Sequence, residues 1–450
     1  MNSRQNANLP VDLAERGHAS QPLYPPPSPS IRSRVIREIF GSSNANNPHL
    51  NSGLSMFCDH LQEHCFPQFG SFDTEVWTAL NRPPPSTPAG QWEWCIAVVR
   101  ASSRLPVSHD LQVKALVAEL LHDATIRPGG LSVQQEIAIA DAATVTLFWL
   151  SAAFIFPFNA NGRLSLLDSL FPSTADSQML LEKSLFEVYE ILHWRSSRYN
   201  LMSVSAAGKD DMLYEPRLGY DSLGRYGGIR LKWVETLSDH LSLDTRNRTL
   251  SIFKFPSLCA ARVLRHNDFV MDNAITNRAM ERFSIRSADD VDGHMCQEVL
   301  LSYRLLFGQN SAARKLLKKA LEGETSVDPF LMQFTKSIPK WTVSRFWPTK
   351  GKMPFDSSLL PERFRKNDGS IMEWGTYSAS IDFPIYGEKL QNIQTYGSNH
   401  PATSFMEYLW DRRYPVQQYS AWLAVNVGLV TTVVGVGQLV MSSVDVATTR

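Results

Sequence analysis

Two histidines and a glutamate lie close together near the start of the sequence, in His60-Leu-Gln-Glu-His64. Residues four apart share one face of a helix, so the imidazoles of His60 and His64 would project to the same side. Two imidazoles placed in this way can bind Zn²⁺, and a carboxylate such as that of Glu63 can activate a zinc-bound water. His60, Glu63 and His64 are therefore the candidate metal-binding and catalytic residues.

This spacing resembles the His-x-x-Glu-His motif of the inverted zinc peptidases. The resemblance implies a third zinc ligand such as Glu119 or Glu136, although no pattern around either residue marks it. Cys58 and Cys65 flank the histidines, but their spacing matches no zinc finger or ribbon. We favour the simpler interpretation, a polar helix face beside two buried cysteines, and we expect no metal and no cofactor.

A second short motif, Phe156-Pro-Phe-Asn-Ala-Asn-Gly-Arg163, is similar to the Fic motif of AMP-transferring enzymes. A histidine opens that motif and activates the target hydroxyl, whereas Phe156 stands at its position and supplies no base. A helix that stops after Phe156, with a turn at Pro157 and Gly162, is the interpretation we favour. The sequence also lacks a phosphate-binding P-loop and a Gly-x-Ser-x-Gly motif, so we expect a protein without enzymatic activity.

Composition sets the class of protein that must position these residues. The chain has 450 residues, 43% of them hydrophobic and 20% charged, which indicates two or three globular domains. Lys and Arg balance Asp and Glu at 44 each, so the net charge does not favour nucleic acid as a partner. Five cysteines are too few for a disulfide scaffold, and residues 1–30 contain no apolar signal-peptide segment, which favours a cytosolic setting.

The pattern of apolar residues predicts a mainly α-helical fold with a small β hairpin and a C-terminal single transmembrane helix. Apolar residues recur at steps of three and four in the ranges 111–121, 177–194, 258–264, 294–307 and 311–321. The hairpin is expected where Leu241–Leu243 and Leu250–Ile252 flank a polar turn, shortly after a possible strand at Ile229–Val234.

Two proline-rich stretches indicate extended segments. Residues 1–34 are predicted to be a disordered tail, because so polar a composition cannot bury enough apolar surface to order itself. The Pro22-x-x-Pro25 and Pro26-x-x-Pro29 spacings would suit an SH3 or WW module, an alternative that we rank below a plain tail. Arg82–Pro88 is predicted to be a rigid loop between two helices.

The last apolar run, Ala421–Met441, contains no charged residue. A helix of about 20 residues crosses the hydrocarbon core of a bilayer, so the run predicts one transmembrane helix and a lipid bilayer as partner. Thr431 and Thr432 lie at its middle, where their hydroxyls can bond to carbonyls of the same helix. In a bilayer, Tyr414, Tyr419 and Trp422 would lie at headgroup depth. The alternative to a membrane helix is a helix or strand buried in a soluble core.

Charges beside this run predict its orientation. Arg412 and Arg413 precede it, whereas only Asp445 and Arg450 follow, so the positive-inside rule places the N-terminal part in the cytosol. This is the topology of a tail-anchored protein. The predicted organisation is a disordered tail, a helical cytosolic region, a juxtamembrane segment, the membrane helix and a short C-terminal tail, at 1–34, 35–400, 401–420, 421–441 and 442–450.

Two further segments bear on membrane contact. Ala142–Phe156 is also apolar but is too short to span, and we interpret it as a core helix rather than a second membrane helix. Residues 314–366 contain twelve basic and five acidic side chains. This basic stretch could face an anionic leaflet or nucleic-acid phosphates, and a solvated helix face is the simpler interpretation.

The leading functional hypothesis is a single-pass, tail-anchored membrane protein whose cytosolic part is an interaction or scaffold domain. The alternative is a soluble, self-assembling structural protein, for instance a viral coat subunit, with the last apolar run buried in its core or at a subunit contact. A third possibility is an enzyme whose site no motif marks. Protein partners or self-assembly are expected in the first two cases, with no individual partner identified.

Overall fold

The structure is a computed structural model that describes residues 29–41, 44, 47–106, 111–122, 130–153, 179–196, 211–265, 269, 271–273, 275–276, 295–335, 357–365, 371–372, 374–402 and 405–448. Several sequence predictions fall wholly or partly outside these ranges. They are residues 1–28 of the predicted disordered tail with its Pro-x-x-Pro spacings up to Pro29, the Fic-like motif at 156–163, and the basic residues between 336 and 352 together with Lys366.

The described part of the chain is mainly α-helical, as predicted, and contains two small β-sheets. The helices in chain order are α1 (Pro29–Phe40), α2 (Pro48–His60), α3 (Thr74–Ala79), α4 (Pro88–Arg104), α5 (Val113–His122), α6 (Val133–Ser151), α7 (Met179–Glu182), α8 (Leu185–Ser196), α9 (Glu215–Leu218), α10 (Tyr220–Tyr226), α11 (Pro256–Leu264), α12 (Met295–Tyr303), α13 (Ser311–Leu321), α14 (Met332–Thr335), α15 (Gly387–Ser398), α16 (Phe405–Trp410) and α17 (Pro415–Thr448). Single π-helical turns follow α2 at Leu61–Cys65 and α12 at Arg304–Gly308.

The strands are β1 (Met212–Tyr214), β2 (Arg230–Val234), β3 (Leu243–Asp244), β4 (Thr249–Phe253) and β5 (Thr376–Ser378). The predicted hairpin is present, since β3 and β4 pair antiparallel with Leu243 opposite Leu250. Strand β2 adds to this hairpin in parallel, which gives the sheet order β2-β4-β3. Strands β1 and β5 form a separate antiparallel pair.

The N-terminal helix corrects one predicted boundary. Helix α1 begins at Pro29, so the last residues of the predicted disordered segment 1–34 are helical. Proline is favoured in the first turn of a helix because its missing N–H has no partner there in any case. Val35, Ile36 and Ile39 of α1 are buried, and this apolar face outweighs the polar composition that surrounds it.

Helix α6 lies at the centre of the core, which confirms the interpretation of the apolar run as a core helix. Every residue from Ile137 to Ser151 is buried. The helix begins with a reciprocal capping box, in which Ser132 and Gln135 each accept a hydrogen bond from the other's backbone N–H. It ends at Ser151, before the predicted stop at Phe156, because Ala152 takes a left-handed conformation with φ of 51°.

A buried ion pair closes the C-terminal end of α6. The Arg262 guanidinium, on α11, donates to the backbone carbonyls of Leu150 and Ser151. The same guanidinium lies 2.7 and 2.8 Å from the two carboxylate oxygens of Asp272, which neutralise it. Arg262 thereby satisfies carbonyls that have no partner within the helix.

The predicted helix over 177–194 is divided in two. Helix α7 ends at Glu182, and α8 begins after Ser184 with a second capping box. The Ser184 hydroxyl accepts from Glu187 N at 3.1 Å, and the Glu187 carboxylate accepts from Ser184 N at 2.8 Å. This reciprocal pair satisfies the first N–H groups of a new helix. Residues 82–87 of the predicted loop lie between α3 and α4, whereas Pro88 is the first residue of α4.

Helix α2, whose last residue is His60, packs closely against α11 and Asp328. A Cβ added at Gly53 of α2 would lie 2.2 Å from Asp328 Oδ1 and 2.3 Å from Ser257 Oγ, so only glycine fits. Asp328 is itself held in place by the N–H groups of Ser257 and Phe330, at 2.7 and 2.8 Å. Phe57, one turn before His60, packs edge-on against Phe255 with ring centroids 5.3 Å apart.

Candidate functional site

The structure brings His60 and His64 together with Glu235, a residue that the sequence motif did not include. One ligand atom from each of these three side chains lies within 4.8 Å of the others. His60 Nε2 is 3.6 Å from Glu235 Oε2, and the two imidazole centroids are 4.6 Å apart. We call this group the His-His-Glu cluster.

Two separate parts of the fold position the cluster. His60 is the last residue of α2, and His64 lies in the π-helical turn that follows it. Glu235 directly follows β2, and Lys254 directly follows β4. Because β2 and β4 pair in parallel with Val234 opposite Phe253, their ends lie side by side. Lys254 Nζ accordingly contacts Glu235 Oε1 at 2.6 Å.

Burial and nearby charges set the protonation of the cluster. Burial lowers the pKa of His60 to about 4, because the charged imidazolium loses its hydration. Burial alone would raise the pKa of Glu235, but His60 and Lys254 outweigh it and lower the pKa. At neutral pH the cluster therefore presents a neutral imidazole at His60 and an ionised carboxylate at Glu235.

The other residues considered from sequence do not join the cluster. The Glu63 side chain is exposed and is not one of the three grouped residues. Glu119 instead accepts a hydrogen bond from Arg104 at 3.1 Å, and Glu136 lies in the first turn of α6. No local pattern marks Glu235, which reaches the histidines only through the β2–β4 pairing.

The cysteines beside the motif belong to the core. Cys58 and Cys65 are both buried and free. Burial raises the pKa of the Cys58 thiol to about 12 and raises that of Cys65 further still. Both sulfurs are therefore protonated thiols at neutral pH, packed as small apolar groups.

The second functional feature is α17, the longest described helix. Its segment Val416–Leu439 has 24 residues, a mean hydropathy of 1.6 and no buried residue in its most apolar window, so by length and composition it can span a membrane. It is the only such helix among the residues that the structure describes. More than half of each of these side chains is exposed: Leu423, Val427, Leu429, Val430, Val433, Val434, Val436, Leu439 and Met441.

The exposed apolar surface surrounds the α17 axis. Leu429, Val434 and Leu439 follow one another at intervals of five residues, which places them about 140° apart around the helix. The alternative of a run buried in the core of this chain is therefore wrong for the described residues. Thr431 and Thr432 donate to the carbonyls of Val427 and Gly428 at 2.8 Å, as predicted for hydroxyls in an apolar setting.

The base of α17 is docked on the helical body. The indole N–H of Trp422 and the amide of Gln418 both donate to the carbonyl of Leu409, on α16, at 3.0 and 3.1 Å. Arg413, just before α17, is 1% exposed at its side chain and pairs with Asp411. Arg412 is 48% exposed, so of the two arginines that preceded the predicted span only Arg412 faces solvent.

Among the described residues of the basic stretch 314–366, some side chains face solvent and others are held by hydrogen bonds or ion pairs. Lys315, Lys318 and Lys319 project from the exposed face of α13. By contrast, Arg314 donates to the Gly308 carbonyl at 2.7 Å, and Arg363 pairs with Asp382. The α13 face matches the predicted solvated helix face.

The chain matches no protein-family model, no curated protein and no solved structure. Function must therefore be inferred from the residues themselves.

Proposed function

We propose that this protein is a single-pass, tail-anchored membrane protein, held in the bilayer by α17, whose helical body is an interaction or scaffold domain on the cytosolic side. The observation that supports this proposal is the exposed apolar surface that surrounds α17, whose most apolar window contains no buried residue. A helix that is apolar on all sides is stable only where all sides are covered by apolar material.

The length and energy of the segment fit a bilayer. A helix of 24 residues is about 36 Å long, enough to cross a hydrocarbon core of about 30 Å with some tilt. Each Val or Leu near the centre contributes about −0.3 to −0.6 kcal/mol to insertion. The hydroxyls of Thr431 and Thr432 are satisfied within the helix, which lowers the cost of placing them at the centre.

A bilayer also accounts for the exposed surface better than one protein groove. An amphipathic helix that docks in a groove has apolar anchors on one face and polar residues on the other. Leu429, Val434 and Leu439 point in three directions, so a groove would leave at least one of them in water. Self-assembly through α17 would need several neighbouring copies around each helix.

Charge at the base of α17 supports the cytosolic orientation. Arg412 is half exposed just before α17, although it lies 3.5 Å from Glu215, and the exposed lysines of α13 add positive charge to the body. Positive residues are retained on the cytosolic side of a membrane, where anionic lipids also attract them. Asp445 is the only charged side chain in the distal part of α17.

Alkaline carbonate extraction of cell membranes tests this proposal. The full chain is compared with V430K/V433K, in which two lysines enter the centre of α17, and with the control V133K/M179K, in which two lysines enter exposed apolar positions of α6 and α7. Each central lysine costs about 3 kcal/mol, so V430K/V433K should move to the supernatant while the other two proteins stay in the pellet.

Release of the unaltered chain by carbonate would overturn the proposal. If the released protein formed particles of uniform size, the self-assembling alternative would replace it. Equal retention of all three proteins would show that the attachment does not use α17.

A further inference from the structure

The proposed function makes no use of the His-His-Glu cluster. We propose that His60, His64 and Glu235 bind one divalent transition-metal ion, with Zn²⁺ as the best fit to the ligand set. This ion would tie the end of α2 to the end of β2, two elements that contribute separate ligands.

The spacing of the ligand atoms carries this proposal. Zn²⁺ binds imidazole nitrogen and carboxylate oxygen at about 2.0–2.1 Å in tetrahedral geometry, which places neighbouring ligand atoms about 3.3 Å apart. His60 Nε2 and Glu235 Oε2 are 3.6 Å apart, too far for a good hydrogen bond and close to the separation across a metal ion. The third ligand atom, on His64, lies within 4.8 Å of both.

The scaffold holds the ligands before any ion binds. His60 is buried between its neighbours, with its ring centroid 5.2 Å from that of Phe255. Helix α2 packs closely at Gly53, and Glu235 directly follows the last pair, Val234 with Phe253, of the parallel strands β2 and β4. The histidines lie at i and i+4 across the start of a π-helical turn, a feature found frequently at functional sites.

The chemistry of the ligands selects among metals. Two imidazoles with one carboxylate suit Zn²⁺ and its neighbours in the first transition row, whereas Ca²⁺ and Mg²⁺ require oxygen ligands. Three protein ligands leave a fourth position, as in zinc sites that keep a bound water. The exposed His64 side chain gives solvent access to the cluster.

The charge of Lys254 opposes metal binding, so removing this charge should strengthen the binding of Zn²⁺, whereas removing a ligand should weaken it. Its ammonium group contacts Glu235 Oε1 at 2.6 Å and lies over the Phe255 ring at 5.0 Å. A positive charge this close to the ligand carboxylate repels a dication. Replacing Lys254 by Met keeps the length and apolar packing of the side chain and removes the charge.

The experiment uses the full chain in detergent, without a histidine tag, stripped of metal by EDTA. Zn²⁺ affinity is measured by competition with a chromophoric chelator, and Co²⁺ is added separately to record its visible absorption. We expect one equivalent of Zn²⁺ and the intense Co²⁺ bands of a four-coordinate site. H64A and E235Q should weaken binding at least thirtyfold, and K254M should strengthen it severalfold.

Glu63→Ala is the matched control, because Glu63 lies in the same turn as His64 but outside the cluster. It should bind Zn²⁺ as the unaltered chain does. His64 is exposed and Gln is isosteric with Glu, so H64A and E235Q should keep the circular dichroism spectrum of the unaltered chain. Absence of stoichiometric binding, or stoichiometric binding that H64A and E235Q leave intact, would overturn the proposal.

Discussion

Arg413 and Asp411 form a bidentate ion pair immediately before the terminal helix, with Nε–Oδ1 and Nη2–Oδ2 distances of 2.8 Å. Both side chains are buried, at 1% and 4% exposure. The guanidinium also donates to the carbonyls of Gly397 and His400 and lies 3.9 Å above the ring of Tyr226. Arg413 therefore fastens the base of α17 to α10 and α15.

Replacing Arg413 by Ala should destabilise the body by about 3–5 kcal/mol, because Asp411 would remain buried without its partner. Urea unfolding of the full chain in detergent measures this loss. The control is R412A, because the Arg412 side chain is 48% exposed and lies 3.5 Å from Glu215, so its loss should destabilise the body less than the loss of the buried Arg413. If R413A unfolds at the same urea concentration as R412A, the pair does not stabilise the body.

The contact of Gly53 with Asp328 and Ser257 predicts a position that tolerates no side chain. Gly53→Ala should lower the free energy of unfolding by about 2–3 kcal/mol, because the methyl group would overlap atoms held by their own hydrogen bonds. Gly70→Ala is the matched control, since nothing lies within 4 Å of its added Cβ. Equal stability of the two variants, measured by thermal unfolding, would contradict the close approach.

Glu298 predicts a pH-dependent stability. Its carboxylate, on α12, accepts the N–H groups of Ile385 and Tyr386, each at 3.0 Å. Burial raises its pKa from 4.5 to about 8, although those hydrogen bonds and Arg363 oppose the shift and Asp382 adds to it. The folded state thus holds a proton that the unfolded state releases, so this group's contribution falls as the pH rises from about 4.5 to about 8.

The variant E298Q isolates this effect, because glutamine mimics the protonated acid and does not titrate. The difference in unfolding free energy between the unaltered chain and E298Q should change by a few kcal/mol at most between pH 5 and pH 8, in favour of E298Q at the higher pH. Taking the difference between the two unfolding free energies cancels the contributions of other titrating groups such as Asp328. A constant difference across that range would show that Glu298 does not hold the proton.

Local patterns predicted much of this fold. The α-helical period located α5, α11, α12 and α13, and the charge-free run located the membrane-spanning part of α17. The break between α7 and α8 has a sequence signal that the prediction missed. Ser184-x-x-Glu187 is a capping-box pattern, and it interrupts a continuous apolar period. Likewise Pro29 signals the true start of α1.

Contacts between distant segments could not be predicted from a single sequence. Glu235 joins His60 and His64 only because β2 pairs in parallel with β4, and no spacing rule connects these residues. Similarly, Arg413 was counted as a free positive charge, whereas it is paired with Asp411 in the fold. Sequence identifies which groups can ionise, but the tertiary packing decides which of them face solvent.

The sequon Asn247-Arg-Thr249 provides a test of orientation that is already in the chain. Asn247 lies in the exposed turn between β3 and β4, so an oligosaccharyltransferase could reach it if the body were lumenal. The proposed orientation places this turn in the cytosol. Asn247 should therefore remain unmodified when the chain is inserted into microsomes.

The experiment also needs a glycosylation acceptor at the C-terminal end of the chain, which the proposed orientation places in the lumen. An Asn-x-Thr sequon appended through a flexible linker after Arg450 should be glycosylated in the same experiment, which shows as a gel shift that an endoglycosidase reverses. Asn247→Gln identifies any shift that comes from the body. Modification of Asn247 with an unmodified C-terminal acceptor would reverse the orientation, since both sites report on the same inserted molecule.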